Sequence, residues 1–195
     1  MPAEHLQFIK RTDEQLMAAV RGGDGDALGT LFDRHHRAVH ALCVRLSHDA
    51  DLADDMVQEV FLRVWRYARS FHGRSTFRTW LYRLTYNVCL DVQRQNSRWQ
   101  RHSAIDPGTP EPPREELANC HVILEAALSR LSPAHRAVLV LSRFHDLGYE
   151  EIGRIIECSP GAARVRLHRA MNELRQLYFA LEGTCTTVAT TSARR

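Results

Sequence analysis

Apolar residues recur every three or four positions along most of this chain, and no stretch of useful length alternates them singly, so the pattern predicts helices without a sheet. A first helix is expected from TDEQLMAAV, with Thr12 as N-cap, Leu16, Ala19 and Val20 as its apolar stripe, and Gly22, Gly23 and Gly25 ending it. A second, from about Asp26, carries Leu28, Leu31, Val39, Leu42 and Leu46. The third starts near Asp51, where Leu52, Met56, Val60 and Val64 return at helical spacing, and Phe61, Val64 and Trp65 read as core. After Thr79 a further helix splits into two faces: Leu81, Leu84, Val88 and Val92 lie together, and Trp80, Arg83, Asn87 and Arg94 share the opposite side.

Proline interrupts this pattern. Pro107, Pro110, Pro112 and Pro113 fall within SRWQRHSAIDPGTPEPPR (97–114), a density that neither helix nor sheet accommodates. The expected fold class is therefore all-α: a small helical domain over 12–98, a linker over 99–114 and a second helical domain over 115–180. A polar tail over 181–195 is expected to be disordered.

In the second domain, Ser132 and Pro133 read as N-cap and first-turn proline of a helix through Arg143. EEIGRII (150–156) forms a short helix after a turn at Gly148, Cys158 and Ser159 turn the chain again, and Pro160 opens a third helix. At 100° per residue, Ala163, Leu167, Ala170 and Leu174 share one face of it, Arg164, Val165, His168 and Arg169 take the other, and Arg166 lies on the flank. Short helix, turn and capped basic helix in this order predict a helix-turn-helix. The first turns of its last helix would enter a major groove, where arginine takes guanine edges bidentately. An ordinary solvated cationic helix is the blander alternative.

Charge and composition narrow the function classes. The 195 residues carry a net charge of +3, and among 26 Lys and Arg residues Lys10 is the only lysine, so nearly every cation offers the planar fork that suits phosphate and guanine. Five cysteines, Cys43, Cys89, Cys120, Cys158 and Cys185, are odd in number and scattered, without a CxxC pair. That argues against a disulfide framework or zinc knuckle and for reduced thiols in the cytoplasm. No export leader and no apolar run long enough to span a bilayer is evident, so membrane insertion is not expected. GxxxxGK[ST], GxSxG and HExxH are absent, and no enzymatic activity, cofactor or metal is expected. His36 and His40, one helical turn apart, could clasp a metal with Asp33, but two solvated histidines beside Arg34 and Arg37 are the simpler reading.

Residues 60–90 are the most informative stretch: six Arg, eight of the fifteen aromatic residues, and no Asp or Glu. Guanidinium groups attract phosphate, and aromatic rings offer platforms for unpaired bases. Within it, the loop FHGRSTF (71–77) sets Gly73 and the small polar Ser75 and Thr76 between Phe71 and Phe77, a shape able to hold a flipped base by stacking and edge hydrogen bonds, although Phe77 can equally serve as a core plug. The helix over 51–65, by contrast, opens with Asp51, Asp54 and Asp55 and carries Gln58 and Glu59, which suit a basic protein surface rather than DNA.

These blocks together resemble the extracytoplasmic-function (group IV) sigma factors of the sigma-70 family. GDGDALGTLF (23–32) and DLADDMVQEVFLRVW (51–65) are similar to the opening of the family's sigma-two domain, and FHGRSTFRTWLYRLTYNVCLDVQR (71–94) to its promoter-melting segment. LSPAHRAVLVL (131–141), GYEEIGRII (148–156) and SPGAARVRLHRAMNELR (159–175) resemble its sigma-four helix-turn-helix. The resemblance implies a promoter-specificity subunit that binds core RNA polymerase through Asp54, Asp55, Gln58 and Glu59. It places Phe71, Arg74, Ser75, Thr76, Phe77, Trp80, Arg83, Asn87 and Arg94 on the melted non-template strand of a minus-ten element. Ser159, Arg164, Val165, Arg166, His168 and Arg169 then face the duplex of a minus-thirty-five element. An anti-sigma factor is a further expected partner. The chain departs from the family at Ala162 and Ala163, usually Thr and Val, at Val165, commonly Ser or Thr, and at Gly148, usually Ser, which leaves the target sequence open. The competing function is an autonomous helix-turn-helix regulator, which would need a receiver or dimerisation element that the first domain does not display.

Overall fold

In a computed structural model the backbone is described over residues 11–103 and 120–192, and these residues form helices with no strand among them. The helices are α1 (Asp13–Arg21), α2 (Gly25–Ser47), α3 (Asp51–Arg66), α4 (Phe77–Ser103), α5 (Cys120–Arg130), α6 (Pro133–Phe144), α7 (Tyr149–Ile155) and α8 (Pro160–Ser192), with a single 3-10 turn at Ala68–Ser70. They fold as two compact units, the first ending near Arg94.

Local chemistry sets the boundaries of the first unit. Thr12 and Gln15 close a reciprocal capping box on α1, with the Gln15 N–H 3.3 Å from Thr12 Oγ1 and the Thr12 N–H 2.9 Å from Gln15 Oε1. Gly23, at φ +93°, reverses the chain after α1, a conformation that favours glycine. Gly25 does not end that helix, as expected from sequence, but opens α2, because Asp24 caps the Ala27 N–H at 3.0 Å. Asp49 caps α3 through the N–H groups of Asp51 and Leu52. α2 packs against both α1 and α3, and Leu16, Met17, Leu31, Leu42, Val60, Val64, Phe77 and Leu81 form the fully buried centre. Trp65, expected in the core with Phe61 and Val64, is 43% exposed, because the buried stripe of α3 passes from Val60 and Phe61 to Val64 and leaves Trp65 on the solvent side.

The linker begins later than expected. α4 stays helical to Ser103, so residues 99–103 belong to it, and the prolines lie outside the described residues. In the second unit, Ser132 caps the His135 N–H at 3.3 Å and Pro133 occupies the first turn of α6. Buried Arg136 reaches back to the carbonyls of Leu128, Ser129 and Leu131 at 2.7 to 3.2 Å, holding the end of α5 and the turn after it. α8 packs against both α5 and α6. The tail expected to be disordered from residue 181 is instead helical to Ser192: Leu181 is buried with Ile123 and Ala127 of α5, which extends the packed face of α8.

Candidate nucleic-acid interface

The loop and helix singled out in the first unit enclose a cavity of about 500 Å³ lined by Tyr67, Ser70, Phe71, His72, Arg74, Ser75, Trp80, Arg83, Leu84 and Asn87. Six of the nine residues expected to meet a melted strand, Phe71, Arg74, Ser75, Trp80, Arg83 and Asn87, therefore line one concavity. Arg94 is exposed further along α4, and Thr76 and Phe77 are used elsewhere. Thr76 caps α4, its hydroxyl accepting from the Thr79 N–H at 3.3 Å and lying 2.9 Å from the Thr79 hydroxyl. Phe77 has no exposed surface. It packs edge-on against Phe71 at 6.1 Å and against His35 at 5.3 Å, and its N–H is bound by Glu14 of α1 at 3.2 Å.

Phe71 is almost as closed, at 6% exposure, with Trp80 tilted against it at 5.3 Å. Of the two readings the sequence offered for Phe77, the core plug is the one the structure adopts, and Phe71 joins it in fixing the loop to the core. The physical reason lies in helix α4 beginning at Phe77: once Thr76 caps it, Phe77 projects back among α1 and α2 rather than into the loop. Leu84, expected on the core face, is half-buried and lines the cavity one turn after Trp80. Tyr67, Ser70 and His72 were not legible as lining residues, since their place depends on the 3-10 turn at Ala68–Ser70.

On α3, Asp54, Asp55 and Gln58 are exposed, as expected for a docking face, and Leu62 joins them one turn on at 55% exposure. Between α2 and α3 a cavity of about 360 Å³ is lined by Phe32, His36, Arg37, His40, Asp54, Val57 and Gln58. His36 stacks on Phe32 at 5.0 Å, and His40 lies 3.5 Å from Asp54, so these histidines face an aromatic ring and a neighbouring helix. Glu59 differs from the other three acceptors: its carboxylate takes a 2.7 Å bond from Arg63, which also reaches Asp91 of α4 at 3.0 Å. Burial works to lower the Arg63 pKa, but the bonds to Glu59 and Asp91 outweigh it and hold the guanidinium above its ordinary value. Glu59 is thereby committed first to joining α3 to α4.

Burial along α8 follows the periodicity of its sequence. Ala163, Leu167 and Ala170 are buried, Leu174 and Arg166 are half-buried, and Arg164, Val165, His168 and Arg169 are exposed. Ser159 caps α8 through the Ala162 N–H at 3.2 Å, and Glu157, at φ +56°, supplies the left-handed residue of the preceding turn. A concavity of about 470 Å³ on this face is lined by Arg143, Tyr149, Arg164, Val165, Leu167, His168, Arg169 and Met171, so the helix presents apolar as well as cationic surface. Arg143 and Tyr149 were not among the expected contacts, and come to this face only because α6 and α7 deliver them there.

Two family models match the chain, sigma-70 region 2 over residues 31–99 and sigma-70 region 4 over residues 121–174. The chain is 35% identical to RNA polymerase sigma factor CarQ of Myxococcus xanthus over 173 residues, covering 85% of this chain and 97% of that one. It is 32% identical to the ECF RNA polymerase sigma factor SigE of Mycolicibacterium smegmatis over 182 residues, covering 86% of this chain and 70% of the relative. The solved structure of CnrH in complex with the cytosolic domain of CnrY matches with a TM-score of 0.66 and 25% identity, over 86% of this chain and 97% of that one.

Proposed function

This chain belongs to the extracytoplasmic-function sigma factors of the sigma-70 family, which direct promoter-specific transcription by RNA polymerase, and on that premise we propose how its surfaces divide the work. Asp54, Asp55 and Gln58 of α3, with Leu62 beside them, dock on core polymerase, and Glu59 supports that face through Arg63. The cavity at Arg74, Ser75, Trp80, Arg83 and Asn87 receives an unpaired base of the minus-ten non-template strand, and Arg94 holds its backbone. The exposed face of α8, capped by Ser159, reads the minus-thirty-five duplex with Arg164, Val165, His168 and Arg169, flanked by Arg166. Residues 12–98 act as the docking and melting domain and 115–180 as the duplex-reading domain. The protein works in the cytoplasm as a specificity subunit and catalyses nothing by itself. No helix among the described residues is long and apolar enough to cross a membrane.

The observation that carries this reading is the separation of charge by surface: carboxylates gather on the exposed start of α3, whereas the cavity and the α8 face carry cations and aromatic rings with no carboxylate in their linings. An autonomous regulator would have no use for the acidic face. CnrH is solved in complex with the cytosolic domain of another protein, CnrY, and an anti-sigma factor is the expected further partner of this chain.

The test mixes the purified chain with sigma-free core polymerase and sequences the transcripts initiated on fragmented genomic DNA. Initiation at a small set of sites sharing two spaced elements is expected. Asp55→Arg should abolish binding to polymerase, while Arg164→Ala should lower promoter-dependent initiation and leave polymerase binding intact. A chain that shifts duplex DNA alone and ignores polymerase refutes the proposal.

A further inference from the structure

If the cavity beneath the 71–77 loop receives the extruded base, as proposed above, some ring must carry it, and the two phenylalanines of the loop cannot. Phe71 and Phe77 are 6% and 0% exposed and pack on each other and on Trp80. Three Phe, Tyr or Trp side chains line the cavity: Phe71, Trp80 and Tyr67. Phe71 and Trp80 are already in mutual contact at 5.3 Å. Tyr67 is 46% exposed and stacks on no other ring among the described residues. Its backbone is nevertheless fixed, since it closes α3 at φ −102°, ψ 14°, and its carbonyl accepts both the Ser70 N–H at 2.9 Å and the Ser70 hydroxyl at 2.8 Å. A ring on an anchored backbone, with its faces open at the edge of a basic cavity, loses little conformational freedom when a base lies against it.

We infer that Tyr67 is the stacking platform for the unpaired base, a residue that sets the strength of minus-ten capture. Ser75 and Asn87, on the same lining, are the polar groups left to meet the base edge, and Arg74 supplies the cation for its phosphate. Trp80 acts beside it as a wall, braced by Phe71 and Phe77.

The experiment uses the full chain with core polymerase on a promoter identified by the transcript sequencing above. 2-Aminopurine is placed at successive non-template positions of the melted segment. Stacking should quench its fluorescence at one position; the quench should disappear in Tyr67→Leu and persist in Tyr67→Phe. Stable open complexes should fall roughly 5- to 100-fold in Tyr67→Leu and recover with Phe, the range expected for one base-aromatic stack. Quenching and open complexes unchanged in Tyr67→Leu overturn the inference. Should Tyr67→Leu fail to fold, cross-linking from 5-iodouracil at the quenched position in the wild-type complex decides: attachment to Tyr67 supports the inference, and attachment to Trp80 or either phenylalanine overturns it. Arg74→Ala and Asn87→Ala separate the two levels. If they reduce open complexes while Tyr67→Leu does not, the cavity reading stands and Tyr67 falls; if none of the three has an effect, the cavity reading falls as well.

Discussion

Arg136→Met tests how the second unit holds the end of α5 to α6. Arg136 is 7% exposed, and its guanidinium gives charged hydrogen bonds to the backbone carbonyls of Leu128 at 3.2 Å, Ser129 at 2.7 Å and Leu131 at 3.1 Å. Burial pulls its pKa below the ordinary arginine value, but a guanidinium remains charged. Methionine keeps much of the aliphatic stem and removes the guanidinium together with these bonds. Hydrogen bonds from a charged group contribute about 1.5 to 3 kcal/mol each, and Leu128 O retains the Leu131 N–H at 3.2 Å as a second donor. Relief of the buried charge offsets part of the loss, so the net destabilisation should be about 2 to 4 kcal/mol. Hydrogen exchange on the full chain reads this locally, as protection in α6 falling roughly 30- to 1,000-fold with α1–α4 unaffected. A change below about threefold would mean that the carbonyls at the end of α5 are solvated without Arg136, and that the bonds do not hold α5 to α6.

Other outcomes follow from single contacts. Phe77→Ala should destabilise the first unit by about 3 to 5 kcal/mol, seen as a lower urea midpoint, because a ring with no exposed surface leaves a cavity among Phe71, Trp80 and His35. The Asp13 carboxylate is held below its ordinary pKa of 3.8, first by the bond to His35 at 2.7 Å and then by Arg34 at 2.8 Å, with burial opposing them. Its stabilisation is present above pH 3.8 and is lost as the pH falls through the lower folded value. Asp13→Asn should therefore cost about 1 kcal/mol near neutrality and match the wild type in strong acid, as measured by thermal melts across pH. Cys43 and Cys89 are 0% and 2% exposed, and contact with Cys43 together with burial raises the Cys89 thiol pKa. Alkylation at pH 8 mapped by mass spectrometry should spare both in the native chain and label them only on unfolding.

Helical periodicity made most of the architecture legible, because nearly every boundary has a local chemical cause written within a few residues. Thr12, Asp24 and Ser132 cap their helices from side chains that the sequence displays openly, and the alternation of Ala163, Leu167 and Ala170 with Arg164, Val165 and His168 orients α8 without reference to anything distant. The failures lie where a neighbour decides. Trp65 shares the helical spacing of core residues, yet α3 already fills its contact with α2 through Phe61 and Val64. The tail beyond residue 180 has a polar composition suited to disorder, but Leu181 finds Ile123 and Ala127 on α5, and helix continues through Thr-rich sequence once that contact exists.

The same distinction explains the candidate site. Composition pointed to a stretch whose residues do come together around one cavity, since arginine and aromatic density is independent of the detail of packing. It could not rank the eight aromatic residues, because a ring serves as core or as platform according to which atoms already touch its faces. Phe71 and Phe77 flank the loop in sequence, which reads as a base-holding shape or, at Phe77, as a core plug; capping of α4 by Thr76 and capture of the Phe77 N–H by Glu14, 63 residues earlier, decide for the core and turn both rings inward. The cavity therefore rests on these buried rings, and under the proposed function a Phe, Tyr or Trp ring that meets the base comes from outside the 71–77 loop, whose remaining ring is that of His72. Tyr67 meets that condition: it lies before the loop, its carbonyl is fixed by Ser70, and its ring is left open. Changing Phe77 should thus lower stability together with promoter melting, while changing Tyr67 should lower melting alone, and that separation distinguishes a supporting ring from a contacting one.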